Sequence, residues 1–116
     1  MSYNAKVLRK KYQRICNAKR NPFLSPDFSM EEFGLLLGVN RTYVSQFVNT
    51  EFGMSFHYLV RSHRLEHAEK LMREHPEMKL LDVLHASGFA NDTSFRRAYK
   101  DKHGRLPSAD IRALRE

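Results

Sequence analysis

The sequence predicts an all-α fold in which two helix-turn-helix units are joined by a long linker helix, about seven helices in total. Apolar residues recur at helical spacing along the chain, and no segment alternates convincingly with period two. A short helix, a glycine turn and a capped second helix occur at 30–50 and again at 80–103, turning at Gly38 and at Gly88. Between the copies runs an uninterrupted helical stretch from Ser55 to about Arg73.

Each element has a local reason. Residues 5–18 place Leu8, Tyr12, Ile15 and Cys16 on one helical stripe, with lysines and arginines opposite. Asn21-Pro22 and Ser25-Pro26 break the chain. Ser29 and Glu32 have the spacing of a capping box, opening a short helix that stops at Gly38. Asn40 can cap the next helix, whose inner face carries Val44, Phe47 and Val48 and which ends at Phe52-Gly53. Ser55 can cap the long helix, which offers Phe56, Leu59, Val60, Leu65, Ala68, Leu71 and Met72 for burial. A short helix over 80–86 closes at Ser87-Gly88. Asn91 can cap a helix from 92 to about 103, with Phe95, Ala98 and Tyr99 inward and Gly104 at its end. Pro107-Ser108 precedes a last helix containing Ile111 and Leu114. The expected organisation is therefore a basic N-terminal helix and linker (1–24), a first unit (25–54), the linker helix (55–74) and a second unit with the C-terminal helix (75–116).

The charge is unevenly placed. The 116-residue chain has a net charge of +7. Residues 1–24 hold Lys6, Arg9, Lys10, Lys11, Arg14, Lys19 and Arg20 and no acid, so the whole excess lies there and the remainder is balanced. A basic segment of this kind suits phosphate contacts that ignore sequence, or a link to an upstream domain. For the remainder, the argument for nucleic acid rests on pattern rather than charge.

In a helix-turn-helix unit the second helix can lie in a DNA major groove. The candidate contacts on its outer face are Arg41, Thr42, Ser45, Gln46 and Asn49 in the first unit. In the second they are Asp92, Thr93, Arg96, Arg97 and, near the helix end, Lys100. Gln46 can bond adenine in bidentate fashion, Thr42 can touch a thymine methyl or a phosphate, and Arg96 can engage guanine. Ordinary solvated residues would show the same helical phase. Asp92 suits the first helical turn, where a carboxylate meets the positive end of the helix dipole. A Ser55–Arg73 helix is about 27 Å long, and equivalent positions on one face of B-DNA recur about every 34 Å. Such a spacer suits two reading helices on one asymmetric site.

The stretch LGVNRTYVSQFVNTEFGMSFHYLVRSHRLEHAEKLM (37–72) resembles the first half of the AraC/XylS family DNA-binding domain. GFANDTSFRRAYKDKHGRLP (88–107) resembles that family's signature, through Gly88-Phe89, Ser94-Phe95, Arg97, Tyr99-Lys100, Gly104 and Pro107, followed by Arg112. The resemblance implies the DNA-binding domain of a transcription regulator, commonly an activator, with contacts at Thr42, Ser45 and Gln46. Separately, the lack of a signal-peptide pattern, of a membrane-span run and of a second cysteine favours a cytoplasmic place. The resemblance gives Arg97 a steadying or backbone role and leaves Arg96 as the better base reader. Double-stranded DNA is the implied partner, with RNA polymerase or an upstream sensor or receiver domain as the protein partner. The chain departs from the family at Leu35 and Leu36, which stand where polar residues are usual. They are either buried by packing that the sequence does not disclose or form an apolar patch suited to a partner. Leu84 replaces a customary alanine and Ser87 a customary larger apolar residue, an exchange that could conserve core volume or shift the second reading helix.

Other chemistry is poorly supported. His63 and His67 have a chelating i, i+4 spacing, but no third ligand is evident and Glu66 is not beside the first histidine. Cys16 reads as a half-buried helix residue, and no phosphate-cradling glycine loop or nucleophile motif is present. The expectation is no enzyme, no cofactor and no metal. No run approaches the roughly 18 apolar residues of a membrane span. The remaining alternative is a degenerate helix-turn-helix scaffold for protein contact, with Leu35 and Leu36 at its interface.

Overall fold

The computed structural model describes residues 4–115, with side chains through Ala113. The described residues form seven α-helices and no strand: α1 (Ala5–Cys16), α2 (Met30–Leu37), α3 (Arg41–Phe52), α4 (Phe56–Glu74), α5 (Leu80–Ala86), α6 (Asp92–His103) and α7 (Pro107–Arg115). The expected all-α class and helix-turn-helix repeat are thus present. A short 3-10 turn at Pro22–Leu24 was not foreseen. The last helix begins on Pro107 itself, where the missing N–H costs nothing; the side chain of Leu114, expected within this helix, lies outside the described residues.

The caps explain the boundaries. The Asn4 side chain accepts from the amides of Lys6 and Val7, Ser29 from Glu32, Asn40 from Tyr43, Ser55 from Tyr58 and Asn91 from Ser94. Each satisfies amides that the first helical turn leaves open. The chain divides into two compact units, with the boundary inside α4 between Val60 and Arg61.

The first unit is built around phenylalanine. Phe23, Phe33 and Phe47 are fully buried, with Leu8, Ile15, Phe28, Leu37, Val44, Val48, Leu59 and Val60 in the same core. Phe23 meets Phe33 edge-on at 5.3 Å between ring centres, and Tyr12 meets Phe23 at 6.0 Å. Such contacts contribute about 0.5–1.5 kcal/mol each beyond area burial. The α1 stripe therefore belongs to the unit's core, and α1 is more than a basic lead-in.

In the second unit Leu65, Ala68, Met72, Val83, Leu84, Phe89, Phe95, Ala98 and Tyr99 form the core, and Ile111 of α7 packs against it. Ser87 is also fully buried, and its hydroxyl donates to the Val83 carbonyl at 2.8 Å.

Candidate nucleic-acid interface

The α2–α3 turn aims the first candidate reading helix. Gly38 sits at φ 76°, in the left-handed region that glycine enters without strain. Gly34 is constrained by space: a Cβ there would lie 2.8 Å from the Val39 carbonyl oxygen and 3.3 Å from Val44 Cγ2. The close approach is held by the Gly38 and Val39 amides, which both donate to the Gly34 carbonyl. On the far side, the Lys11 ammonium of α1 donates to the Leu37 carbonyl at 3.0 Å. A cation at a helix C-terminus also faces the negative end of its dipole.

With Val44, Phe47 and Val48 inward, α3 turns the opposite face outward. Arg41, Thr42, Ser45, Gln46, Asn49 and Thr50, with Met30 of α2, line one open concavity. The five expected α3 residues are thus together. Thr42 and Gln46 are exposed and Ser45 is half-buried. The Asn49 amide donates to the Ser45 carbonyl at 2.9 Å. Arg41 pairs with Glu31 at 2.8 Å, both exposed. Thr50 was overlooked, although it extends the i, i+4 row of Thr42 and Gln46. Glu31 had no local signal, since it meets Arg41 only through the α2–α3 turn.

The second unit repeats the device. Phe95, Ala98 and Tyr99 are buried, and Thr93, Arg96, Arg97 and Lys100 are exposed on α6. Asp92 is half-buried and forms an ion pair with Arg96, one turn on, its Oδ2 lying 2.9 Å from Nε. Behind α6, the Glu69 carboxylate of α4 accepts from Lys102 at 2.7 Å and is bonded to the His103 ring. Burial raises the Glu69 pKa, but Lys102 and His103 outweigh it and leave the carboxyl below its usual value. The Tyr99 hydroxyl donates to Asp110 of α7, and Arg105 Nε donates to the same carboxylate at 2.8 Å. Burial above all, then the bond to Asp110, pushes the Tyr99 phenol well up. It stays protonated and keeps donating. This network seats α6 against α4 and α7 while leaving Arg96, Arg97 and Lys100 outward.

The Helix-turn-helix domain family model matches residues 36–113. The chain belongs to the AraC-type helix-turn-helix family. Members of this family bind DNA for transcription regulation. The AraC-type chain is similar to the C-terminal domain of AraT, a response regulator from Geobacillus stearothermophilus, with a TM-score of 0.76 and 25% identity over 92% of this chain and 84% of that one. It shares its fold with a protein of unknown function from Listeria innocua, with TM-score 0.74 and 19% identity over 91% and 95% of the two chains. A third similar fold is the C-terminal domain of the two-component response regulator yesN from Fusobacterium nucleatum, with TM-score 0.73 and 21% identity over 98% and 100%. No curated protein sequence matches.

The AraC-type pattern also frames the departures. Leu35 and Leu36 are exposed, Leu35 at 83% and Leu36 at 48%, so no packing among the described residues buries them. No group of three or more metal-ligating side chains is present among the described residues. None of the described helices is long and apolar enough to cross a membrane.

Proposed function

We propose that this AraC-type domain binds double-stranded DNA in a sequence-specific way and serves as the output domain of a larger transcription regulator. The observation that carries the reading is the α3 concavity, where Arg41, Thr42, Gln46 and Asn49 converge on an open face while the other face of the helix fills a phenylalanine core. In this reading Gln46 bonds an adenine edge, and Thr42 and Ser45 contact a thymine methyl or backbone. Arg96 of α6 reads guanine, while Thr93, Arg97 and Lys100 grip phosphates. The AraT likeness supports a place behind a receiver or sensor domain. Selection from a random double-stranded pool, followed by titration at two salt concentrations, tests the proposal. One enriched site and an affinity that falls steeply with salt are expected. Equal affinity for random DNA, or no binding at low salt, would overturn it.

The exposed pair Leu35 and Leu36 favours a second reading, in which the fold is a scaffold for protein contact. The balanced charge of residues 25–116 fits that reading too. RNA polymerase and an upstream regulatory domain are its candidate partners. A chain that fails the DNA selection yet retains a partner through these leucines would support it.

A further inference from the structure

We infer that Asp92 is a positioning residue for Arg96, and that it sets how sharply the second unit discriminates guanine. This rests on the proposed reading of α6 and adds a residue that touches no base. Asp92 is the first residue of α6, where a carboxylate is usually explained by capping or by the helix dipole. Capping is already done by Asn91, whose side chain accepts from the Ser94 amide at 2.9 Å. The Asp92 carboxylate is therefore not needed as the cap, and its place in the first turn does not consume its oxygens. Its Oδ2 lies 2.9 Å from Arg96 Nε, an ion pair one turn along the same face.

The atom used matters. A guanidinium presents five N–H donors in a rigid plane. With Asp92 paired on the Nε side of the guanidinium, the two terminal nitrogens remain as the fork that matches guanine O6 and N7. The pair thus restricts a long, rotamer-rich side chain and leaves its recognition edge open. A carboxylate facing a polyanion weakens binding to any duplex, so Asp92 would sharpen discrimination while lowering general affinity. Arg96 without Asp92 would meet phosphates or bases in many orientations.

The test uses the whole chain and the site selected from the random pool. Asp92→Asn, Asp92→Glu and Arg96→Ala are measured against all single-base variants of that site and against unrelated duplex, with thermal melting of each protein. Asp92→Asn should bind unrelated duplex more tightly while losing about twofold of the preference at the base pair that Arg96→Ala relaxes. Asp92→Glu, which keeps an acid at i, i+4 to Arg96, should recover most of that preference. Unchanged preference in Asp92→Asn, or an equal loss at every base pair, would overturn the inference while leaving Arg96 as a reader. A lower melting temperature with discrimination intact would also overturn it, assigning Asp92 to helix stability alone. If Arg96→Ala relaxes no base pair, the reading of Arg96 and the role of Asp92 fall together.

Discussion

The Lys11 ammonium of α1 lies 3.0 Å from the Leu37 carbonyl oxygen, at the turn that launches α3. The same ammonium would lie 3.2 Å from a Cβ added at Gly38. The N-terminal helix is thereby fastened to the helix-turn-helix element itself. Lys11→Met keeps the stem and removes the donor. It should cost about 1 kcal/mol of stability, less than the roughly 1.5–3 kcal/mol usual for a hydrogen bond to a charged group, because this one is only half-buried. Urea unfolding reads this directly; an unchanged midpoint would mean that water replaces the ammonium without loss.

The core role of residues 1–24 and their expected phosphate contacts need separate variants. Deleting the segment would remove Leu8, Ile15 and Phe23 from the first core. Losing that many large side chains, at about 2–5 kcal/mol each, exceeds the stability of a small unit. The first unit should unfold, visible as lost helicity. Lys6, Lys10 and Arg14 are exposed at successive i, i+4 positions, so changing all three to Gln should spare the fold. We expect that triple variant to bind every duplex more weakly without altering base preference, and to lower the salt slope by about one unit for each phosphate it no longer neutralises. An unchanged slope would make the row a link to another domain.

Gln46→Ala and Arg96→Ala should each relax a different part of the selected site. The cost should be about 1–3 kcal/mol of discrimination wherever a bidentate pair of bonds to a base is removed. Lys100→Ala should weaken all sequences alike and reduce the salt slope by about one unit. A library of single-base site variants separates these outcomes. If Gln46→Ala and Arg96→Ala relax the same base pairs, each unit does not read its own segment.

Leu35→Glu with Leu36→Glu should leave the fold intact, because both side chains already face water. Each change should stay within about 0.5 kcal/mol. Melting checks the fold, and transcription in cells checks the protein contact. A large drop in melting temperature would contradict the observed exposure.

Acid should weaken the second unit in two stages. Burial holds the His63 imidazole below its ordinary value, with Glu66 pulling the other way. Burial and Lys70 lower His67, against Glu74. The unfolded chain therefore takes up protons below about pH 6.5 that the folded chain refuses, so stability should fall from there until the folded imidazoles protonate. Glu69 and Asp110 are carboxylates held below their usual values, Glu69 against its own burial by Lys102 and His103, and Asp110 chiefly by Arg105. Their stabilisation is present above the ordinary carboxylate range, about pH 4, and is lost as pH drops through the folded values. Urea midpoints across pH should show both slopes, and His63→Gln should flatten the first. A flat profile between about pH 7 and 5 would contradict the assignment.

Much of the fold is set by interactions within a few residues, which is why the chain itself determines it. Ser29, Asn40, Ser55 and Asn91 cap the helices they precede in the sequence, and Gly38 and Gly104 end theirs at positive φ. Helical phase likewise determines which side chains are buried, from Val44, Phe47 and Val48 to Phe95, Ala98 and Tyr99. The same phase gathers the α3 candidates on one face. What crosses between elements was decided by tertiary structure alone. The partners of Arg41, Lys11 and Glu69 lie 10, 26 and more than 30 residues away, beyond any local pattern. Leu35 is exposed because no other described element covers that side of α2, a fact that phase cannot express. The exchange at 84 and 87 depended on volume. Counted from the two turn glycines, Leu84 stands where the first unit has Gly34, Ser87 where it has Leu37, and Phe89 where it has Val39. Leu84 and Ser87 are both buried, and the Phe89 amide donates to the Leu84 carbonyl just as the Val39 amide donates to that of Gly34. The turn keeps its hydrogen bond with the large and small residues interchanged, because a core constrains the sum of volumes more tightly than the volume at each position.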